Sequence, residues 1–411
     1  MENIANLMKI FYVTNARLPT EKAHGLATIK LCEAFAKEGI EVTVFCPWRV
    51  NPVRGKPPPA AAAPSVRASN GVNPLKQDLY GYYRVQRNFK VCFLPSFDFL
   101  WLGFGKRFFF LLQLFSFSNI AAIWLFFRYG ISGQLRNTVI FSHDHIPLFF
   151  VSFFASKIFY DIHHYPEDTL LYRRVLERAI GIGVQTRWKI QKLHEDFGVP
   201  AEKIVYWPNG TDIERFDIRP SVKEARAQLN LPQDKRVVLY TGSLQRWKGV
   251  EILLEASQFL SPEVVVYIVG GSEEEIQKFK IQNSKFKIRF VGHRPWAEIP
   301  LWLKAADVLV LPNTGRMRVS QYYTSPMKLF EYMASGRPIV ASDIPSIREI
   351  VDETMVFFAT ADDPESFAQV IQQTLNRPGE ARSRVEKSLA EVKKYTWDNR
   401  ATRLLEPMHK L

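Results

Sequence analysis

The chain opens with a strand–helix–strand pattern, and this pattern constrains the fold more than any other feature of the sequence. MKIFYVT (residues 8–14) is a short apolar run of β-forming residues, and a helical pattern follows from residue 26 to residue 38. Gly39 is a typical helix C-cap, and residues 40–45 (IEVTVF) have the composition of a second strand. Two strands joined by a crossover helix form parallel sheet, so the first domain is predicted to be α/β.

The same alternation of strands and helices begins again at residue 236, which indicates a second α/β domain. Turn-forming residues concentrate over residues 205–220 and predict a domain boundary near residue 217. The length of 411 residues fits two or three domains of ordinary size. Within the first domain, residues 51–73 are rich in Pro, Ala, Gly and Asn, so we expect an exposed loop there.

Charge and cysteine content limit the classes of function. Lys and Arg number 54 against 41 Asp and Glu, a formal charge of +13, which favours polyanions or anionic membranes without identifying either. The three cysteines are not at metal-ligand spacing, which argues against a disulfide framework and a structural zinc site and favours a reducing, cytoplasmic setting. The start of the sequence has no basic region followed by an apolar stretch and a cleavage site, so no secretion signal is expected.

The segment YTGSLQRWKG (residues 240–249) lies where a predicted strand ends and a helix begins. Gly242 allows close approach of the backbone to a ligand, and Lys248 adds a cation beside the free N–H groups of the helix start. This combination suits a diphosphate. The alternative is a surface lysine that is only solvated at a helix start, because Lys is ordinarily an exposed residue.

The segment SPMKLFEYMASGRPIVAS (residues 325–342) has the features of a second anion-binding helix start. Ser325 is predicted to be the N-cap and Pro326 the first helical residue. The N–H groups of Met327 and Lys328 would then point toward an anion. Glu331 follows one turn later, where its carboxylate can accept both hydroxyls of a ribose. The alternative is a capped helix whose glutamate faces solvent.

Taken in their order and spacing, these segments resemble the retaining glycosyltransferases of family 4, over nearly the whole chain. The resemblance also rests on the KAHG loop and on PNGTDIERF, VGGS and VGHRPWAEIPLWLKAADVLVLP, which begin at residues 22, 208, 269 and 291. It implies the α/β GT-B fold of two facing Rossmann-like domains with parallel sheets. Residues 1–217 would form the acceptor-side domain and residues 218–394 the donor domain, with residues 395–411 as a C-terminal helix that crosses back to the first domain.

The resemblance implies transfer of a sugar from a nucleotide-diphosphate sugar to a glycan or lipid-linked acceptor, in surface polysaccharide or glycolipid synthesis. Lys248 and the helix start would bind the diphosphate, Glu331 the ribose, and the loop with His293 would lie near the base. Gly25 would face the β-phosphate across the cleft. The full set of donor-binding residues implied by the resemblance is Gly25, Gly242, Ser243, Arg246, Lys248, Gly270, His293, Met327, Lys328 and Glu331.

The implied catalytic residues are His163 and Lys248. His163 directly follows the predicted strand KIFYDI and matches the family histidine that contacts the donor sugar, while His164 and His145 compete for this role. Retention in the family is attributed to front-face attack, in which the leaving diphosphate takes the acceptor proton. No metal and no cofactor besides the nucleotide-sugar co-substrate is expected, because Lys248 and helix N-termini stabilise the departing charge and the sequence lacks a DxD pair at a strand end.

The sequence departs from the family pattern at two positions. Ser243 stands where members usually carry Arg, so one phosphate cation is missing or is supplied by Arg246. Tyr323 stands where the first of two family glutamates would fall, so recognition of the donor sugar must differ.

An uncharged apolar segment, residues 108–127, contains many of the 31 Phe residues and is long enough to span a bilayer. Three interpretations compete: a spanning helix, a helix buried in the first domain, and a helix with one face on the domain and one on lipid. Residues 84–136 hold seven basic residues and one acid. Peripheral membrane contact through this stretch, at the inner face of the cytoplasmic membrane, is therefore expected.

Two other classes of function remain to be weighed against glycosyl transfer. A sugar-nucleotide epimerase of the same fold needs a carboxylate pair in the cleft, and the first-domain loops offer Asp161 with His163 and His164 but no evident pair. A non-enzymatic polyanion binder would need basic residues interleaved with exposed aromatic residues on a recognisable module. No such module is evident, so no nucleic-acid partner is expected.

Overall fold

The computed structural model describes residues 8–20, 22–48, 78–100, 105–282 and 288–409, so the loop expected at residues 51–73 lies outside the described residues. The chain divides into two compact units, the first Met1–Trp207 with Trp397–Leu411 and the second Pro208–Thr396. Turn composition assigned residues 208–217 to the first domain. They pack with the second unit instead, because Phe216 is buried in its core.

The first unit is built on parallel sheet. Its elements up to the unit boundary are, in chain order, β1 (Lys9–Val13), α1 (Ala23–Lys37), β2 (Glu41–Pro47), α2 (Leu79–Tyr83), β3 (Lys90–Leu94), α3 (Lys106–Leu125), β4 (Thr138–Ser142), α4 (His145–Val151), β5 (Ile158–Ile162), α5 (Leu170–Arg178), β6 (Ala179–Val184), α6 (Arg187–Phe197) and β7 (Ile204–Tyr206). The seven strands lie in the order β3-β2-β1-β4-β5-β6-β7, and every neighbouring pair is parallel. The strand order reverses between β1 and β4, and loops at the carboxyl ends of strands beside such a reversal are where ligands bind.

The second unit repeats this architecture with six strands. Its elements are α7 (Val222–Gln228), β8 (Arg236–Thr241), α8 (Val250–Ala256), β9 (Val264–Val269), α9 (Glu273–Gln282), β10 (Ile288–Gly292), α10 (Ile299–Ala305), β11 (Val308–Leu311), α11 (Met327–Ala334), β12 (Ile339–Ser342), α12 (Pro345–Arg348), β13 (Phe357–Ala359), α13 (Pro364–Asn376) and α14 (Pro378–Val392). The strands lie in the order β10-β9-β8-β11-β12-β13, again all parallel. Here the order reverses between β8 and β11.

The last helix, α15 (Trp397–Leu405), belongs to the first unit, where it packs on α1. One face of α15 is buried, and it includes Trp397, Arg400 and Leu404. A C-terminal helix that returns to the first unit was expected from the family resemblance. Both units are therefore parallel α/β structures, and the predicted fold class is confirmed.

Helix α3 contains most of the apolar segment. In the described parts of the chain, residues 106–130 form one helix whose length and apolar composition would allow it to cross a membrane, a criterion that ignores packing. Only a third of its most apolar stretch is buried. The interpretation of a wholly buried helix is therefore wrong, because Phe108 and Phe127 are each 65% exposed.

Candidate functional site

The loops at the carboxyl ends of β8 and β9 approach one another closely because glycines stand at the contact. Gly242 directly follows β8 and has a φ of +133°, and Gly270 directly follows β9 with a φ of +127°. A Cβ on Gly270 would lie 2.1 Å from the carbonyl oxygen of Gly242, which no side chain can tolerate. A Cβ on Gly242 would lie 2.8 Å from Nζ of Lys328, so this glycine admits the lysine to the strand end.

Lys328, the second residue of α11, is a buried cation. Its Nζ lies 3.8 Å from the ring centroid of Tyr240 and, within the described part of the chain, has no hydrogen-bond acceptor. Burial lowers the pKa of Lys328 well below its ordinary value, Lys248 lowers it further, and Glu331 opposes both. An ammonium held away from water without an acceptor is unfavourable, and an anionic ligand would relieve that cost.

Lys248 lies in a short 3₁₀ turn, Arg246–Lys248, just before α8. Its Nζ lies 3.5 Å from the ring centroid of Trp247. Burial lowers the pKa of Lys248 to about 7, against the opposing effect of Glu331. Lys248, Lys328 and Glu331 therefore form one electrostatic cluster, the lysine cluster, while the side chains of Ser243 and Arg246 are exposed.

Glu331 is held by groups outside its own helix. The indole Nε1 of Trp296 donates a hydrogen bond to its Oε1 at 3.1 Å, and the guanidinium of Arg215 lies 3.2 Å from the Trp296 ring centroid. Burial raises the pKa of Glu331, against the opposing effects of the Trp296 hydrogen bond, Lys328 and Arg215. Trp296 and Arg215 were not predicted as site residues, although both lie in the motifs VGHRPWAEIP and PNGTDIERF.

The start of α11 differs from the prediction. Pro326 is the N-cap and Met327 the first helical residue, so the assignment of Ser325 as N-cap is wrong. The hydroxyl of Ser325 instead accepts a hydrogen bond from the backbone N–H of Asn209 at 3.1 Å, and the Asn209 amide donates to the Ser325 carbonyl at 2.7 Å. The helix start, with N–H groups that have no partner within the helix, still adjoins the lysine cluster. His293, in the loop after β10, is exposed.

In the first unit, His163 directly follows β5, as predicted, and is part of a buried hydrogen-bond network. Its Nε2 lies 3.1 Å from Oδ2 of Asp161. The guanidinium of Arg400, from α15, donates to both oxygens of Asp161 at 2.7 and 2.8 Å, and the Gln185 amide donates to one of them at 2.8 Å. Burial alone would raise the pKa of Asp161, but Arg400 and His163 outweigh it and hold this pKa well below its ordinary range.

His163 is a neutral imidazole at neutral pH. Burial lowers its pKa to about 4, although the adjacent Asp161 opposes the change. A neutral ring whose Nε2–H faces a carboxylate has Nδ1 as its acceptor nitrogen. Two further histidines, which were not predicted as site residues, lie nearby. The ring centroids of His143 and His163 are 5.2 Å apart, and the ring centroids of His24 and His143 are 6.3 Å apart.

Two other expectations concern the first unit. Of the competing histidines, His145 stacks on Tyr172 with a centroid distance of 4.0 Å, and His164 is exposed. Gly25 was expected in a loop, but it lies in the first turn of α1 and is buried. A Cβ at this position would lie 2.3 Å from the Thr20 side chain, which explains the glycine by packing within the first unit.

Among the residues that the structure describes, no group of three or more His, Cys, Asp or Glu side chains has the geometry to hold a metal ion.

Two family models match the chain. Residues 27–215 match the model of Glycosyltransferase Family 4, and residues 235–377 match the model of Glycosyl transferases group 1. Together the two models account for well over half of the sequence, one in each unit. The motifs on which the resemblance rested lie within or beside these ranges.

Individual relatives are distant. D-inositol 3-phosphate glycosyltransferase of Corynebacterium urealyticum is 25% identical over 264 residues, which are 59% of this chain and 60% of that protein. The structure of Alr3699/HepE from Anabaena, in complex with UDP, superposes with a TM-score of 0.70 at 16% identity and covers 98% of this chain and 100% of that one. WaaG, a glycosyltransferase involved in lipopolysaccharide biosynthesis, gives a TM-score of 0.60 at 14% identity, covering 95% and 98%.

Proposed function

Because this chain belongs to the glycosyltransferases of family 4, with the GT-B fold, we propose that it transfers a sugar from a nucleotide-diphosphate sugar to an acceptor with retention of configuration. The observation that carries the proposal is the buried Nζ of Lys328, which has no hydrogen-bond partner among the described residues and lies at the end of β8 next to Lys248. Both cations stand where the strand order reverses, the usual ligand crevice of such sheets.

The diphosphate would be bound by three kinds of group. Lys248 and Lys328 supply charge, and the backbone N–H groups at the start of α11, from Met327 onward, supply directed hydrogen bonds. Gly242 admits the Lys328 side chain to the end of β8, and Gly270 lets the loops after β8 and β9 approach closely. Arg246, exposed beside this cluster, takes the place of the arginine that family members carry where this chain has Ser243.

The nucleoside would extend toward Glu331 and the loop that holds His293. The Glu331 carboxylate has lone pairs beyond the one that accepts from Trp296, and these can accept both ribose hydroxyls. Trp296 and Arg215 fix the position of that carboxylate. The proposed nucleotide-sugar donor is supported by HepE, which was solved in complex with UDP and with UDP-glucose.

The proposed reaction breaks the bond between the anomeric carbon and the diphosphate oxygen and forms a bond from that carbon to the acceptor oxygen on the same face. The acceptor proton passes to the departing diphosphate oxygen, and Lys248 and Lys328 stabilise the negative charge that develops there. No metal or further cofactor takes part in this scheme. The Nδ1 of His163 would accept a hydrogen bond from a hydroxyl of the donor sugar and so orient the sugar.

The proposed acceptor is a glycan or a lipid-linked glycan of surface polysaccharide or glycolipid synthesis, processed on the cytoplasmic side of the membrane. The involvement of WaaG in lipopolysaccharide biosynthesis supports this class of acceptor. An epimerase is less compatible with the site, because Asp161 is bound by Arg400 and Gln185 and cannot serve as a general acid or base.

A panel of nucleotide sugars tests the donor site by thermal unfolding. We expect UDP-, GDP- or another class of nucleotide sugar to raise the melting temperature of the wild-type protein, with Lys328→Met and Lys248→Ala abolishing the rise. Lys387→Ala, an exposed lysine on α14, is the matched control and should keep it. A wild-type protein that no nucleotide sugar stabilises would contradict the proposal.

Turnover of the donor identified in this way tests the chemistry. We expect Lys248→Ala to lower the rate of sugar transfer by about 10² or more, because a group that stabilises developing charge is lost. Proton NMR of the product should show the anomeric configuration of the donor, and a chelator should leave the rate unchanged. Conversion of the donor to its epimer without any acceptor would identify an epimerase instead.

A further inference from the structure

The outward side of α3 is a large apolar surface. Seven side chains that are at least two-fifths exposed form it, on α3 and on the helical turn Phe126–Gly130 that continues it: Phe108, Phe110, Leu111, Phe115, Ile123, Phe126 and Phe127. We call this the α3 surface. Phe97, whose backbone N–H donates to the hydroxyl of Ser116 on this helix, extends it and is 58% exposed. Apolar patches of this kind on a protein surface mark a partner or a membrane.

The inward side of α3 belongs to the core of the first unit. Phe117, Ala121 and Leu125 are fully buried there, in the cluster that also holds Val13 of β1 and Ile140 of β4. A helix surrounded by lipid would have to leave this core. The helix therefore has one face on protein and one available to another medium, which excludes the spanning interpretation.

Three polar side chains on α3 form hydrogen bonds within the helix itself. The Ser118 hydroxyl donates to the Leu114 carbonyl at 2.7 Å, and the Asn119 amide donates to the Phe115 carbonyl at 2.9 Å. Ser116 donates to the carbonyl of Gln113 at 3.1 Å. Polar groups that are already hydrogen-bonded can enter an apolar medium at low cost, so the polar positions of the helix do not oppose burial in lipid.

Charge around the α3 surface has one sign. No Asp or Glu occurs between Asp98 and Asp144, and Asp98 is itself buried in an ion pair with Arg17. Over the same stretch four exposed side chains carry positive charge: Lys106, Arg107, Arg128 and Arg136. Lys106 and Arg107 precede the aromatic side chains and Arg128 follows them, the arrangement that favours an anionic lipid surface over a neutral one.

We propose that the α3 surface docks the protein on an anionic membrane, with α3 lying in the plane of the interface. Its aromatic side chains enter the headgroup and upper acyl region, and the flanking basic residues contact lipid phosphates. A helix of 20 residues extends about 30 Å, so the contact is long enough to fix the orientation of the first unit on the surface. This inference extends the proposed function, since a lipid-linked acceptor would then be met at the membrane, but the docking itself requires no sugar transfer.

Vesicle cosedimentation tests the docking with full-length protein and no substrate. We expect binding to vesicles of phosphatidylcholine with phosphatidylglycerol, weaker binding to phosphatidylcholine alone, and loss of binding as salt is raised. Phe108→Asp with Phe127→Asp should reduce binding at least tenfold, whereas Phe259→Asp, 54% exposed on the second unit, should not. An alkaline carbonate wash should release the bound protein, because a helix in the interface is not anchored as a spanning helix is.

Charge variants provide a second, independent test. Lys106→Glu with Arg107→Glu should weaken binding to anionic vesicles by about tenfold or more, since each basic residue near such a surface contributes about 1 kcal/mol. Arg382→Glu with Lys387→Glu, exposed on α14, is the matched control. Circular dichroism establishes that each variant is folded.

Four results would overturn the proposal. Three concern vesicles: no binding by the wild-type protein, equal binding to neutral and anionic vesicles, or retention of the protein after the carbonate wash. The fourth is a wild-type protein that binds no vesicles and forms a dimer, which the Phe108→Asp and Phe127→Asp double variant converts to a monomer. The last result would make the α3 surface a contact between two copies of the chain. Because nucleotide binding is measured separately by thermal unfolding, failure of the docking and failure of the proposed function are distinguishable.

Discussion

At the scale of single residues, the donor-site lysines combine positive charge with burial. Lys248 has a pKa of about 7 and Lys328 a pKa well below the ordinary value for lysine. Above pH 7 the free protein therefore loses the charge of Lys248, which the proposed diphosphate site requires. A bound diphosphate would favour the ammonium forms, so its binding must be coupled to proton uptake.

This coupling gives a prediction with a definite sign. At pH 8 we expect binding of the nucleoside diphosphate to take up protons, and its affinity to fall as the pH rises through 7. Titration calorimetry in two non-phosphate buffers of different ionisation enthalpy measures the uptake. Lys248→Arg should lower it, because Arg stays charged, and Lys387→Arg should leave it unchanged. Equal heats in both buffers would contradict the expected change in protonation.

Part of the proposed donor site could be named from the sequence because its residues lie in short contiguous motifs. Gly242 and Lys248 share one motif, and Lys328 and Glu331 share another, so the strand–turn–helix pattern is enough to assign them. Arg215 and Trp296 are missed because their role depends on packing between segments that are distant in sequence. The N-cap of α11 is mispredicted for the same reason, since the Ser325 hydroxyl accepts a hydrogen bond from the backbone N–H of Asn209, which is distant in sequence.

At the scale of elements, α15 is tied to the strands of the first unit by a buried ion pair and by close packing. Arg400 and Asp161 are each at most 1% exposed. Leu404 packs so closely on Gly183 of β6 that a Cβ there would lie 3.0 Å from its side chain. The helix thus closes the network in which Asp161 holds His163.

Removal of the Arg400 charge should be strongly destabilising. We expect Arg400→Met to lower the free energy of unfolding by about 3–5 kcal/mol, because it leaves the Asp161 carboxylate buried without its cation. Arg400→Lys should recover part of this loss, and Thr402→Ala, on the exposed face of α15, should change little. Urea denaturation followed by circular dichroism measures the three variants. A loss below about 1 kcal/mol for Arg400→Met would show that the pair contributes little.

Helix α3 illustrates the limit of sequence reasoning for a whole element. Twenty uncharged residues predict a helix, but apolar side chains on every side leave no periodicity from which to choose a buried face. The buried face includes Phe117, Ala121, Ala122 and Leu125, which lie in the core of the first unit. The opposite face of the helix is then the exposed one, and the composition of the segment alone does not identify it.

At the scale of the whole molecule, the first unit is discontinuous in sequence, since residues 397–411 complete it. We expect a chain truncated after residue 396 to show faster amide hydrogen exchange in β5 and β6, which lose Arg400 and Leu404. Exchange in β8, β11 and β12 should stay as in the full chain, because these strands belong to the other unit and serve as the internal control. Mass spectrometry of peptic fragments measures both regions. Unchanged exchange in β5 and β6 would contradict the structural role of α15.

The fold class was predictable at this scale because alternating strands and crossover helices admit only a parallel sheet. The boundary between the two units was harder to predict from the sequence. Turn-forming residues extend over residues 205–220 and do not indicate in which core Phe216 is buried. Only packing decides that the second unit begins at Pro208.

The discontinuous first unit has a consequence for biosynthesis. On the ribosome, residues 208–396 are all synthesised before α15, so most of the second unit emerges while Asp161 of the first unit still lacks its arginine partner. The first unit can therefore be completed only after the chain of the second unit has been made, although N-terminal domains commonly fold first during synthesis.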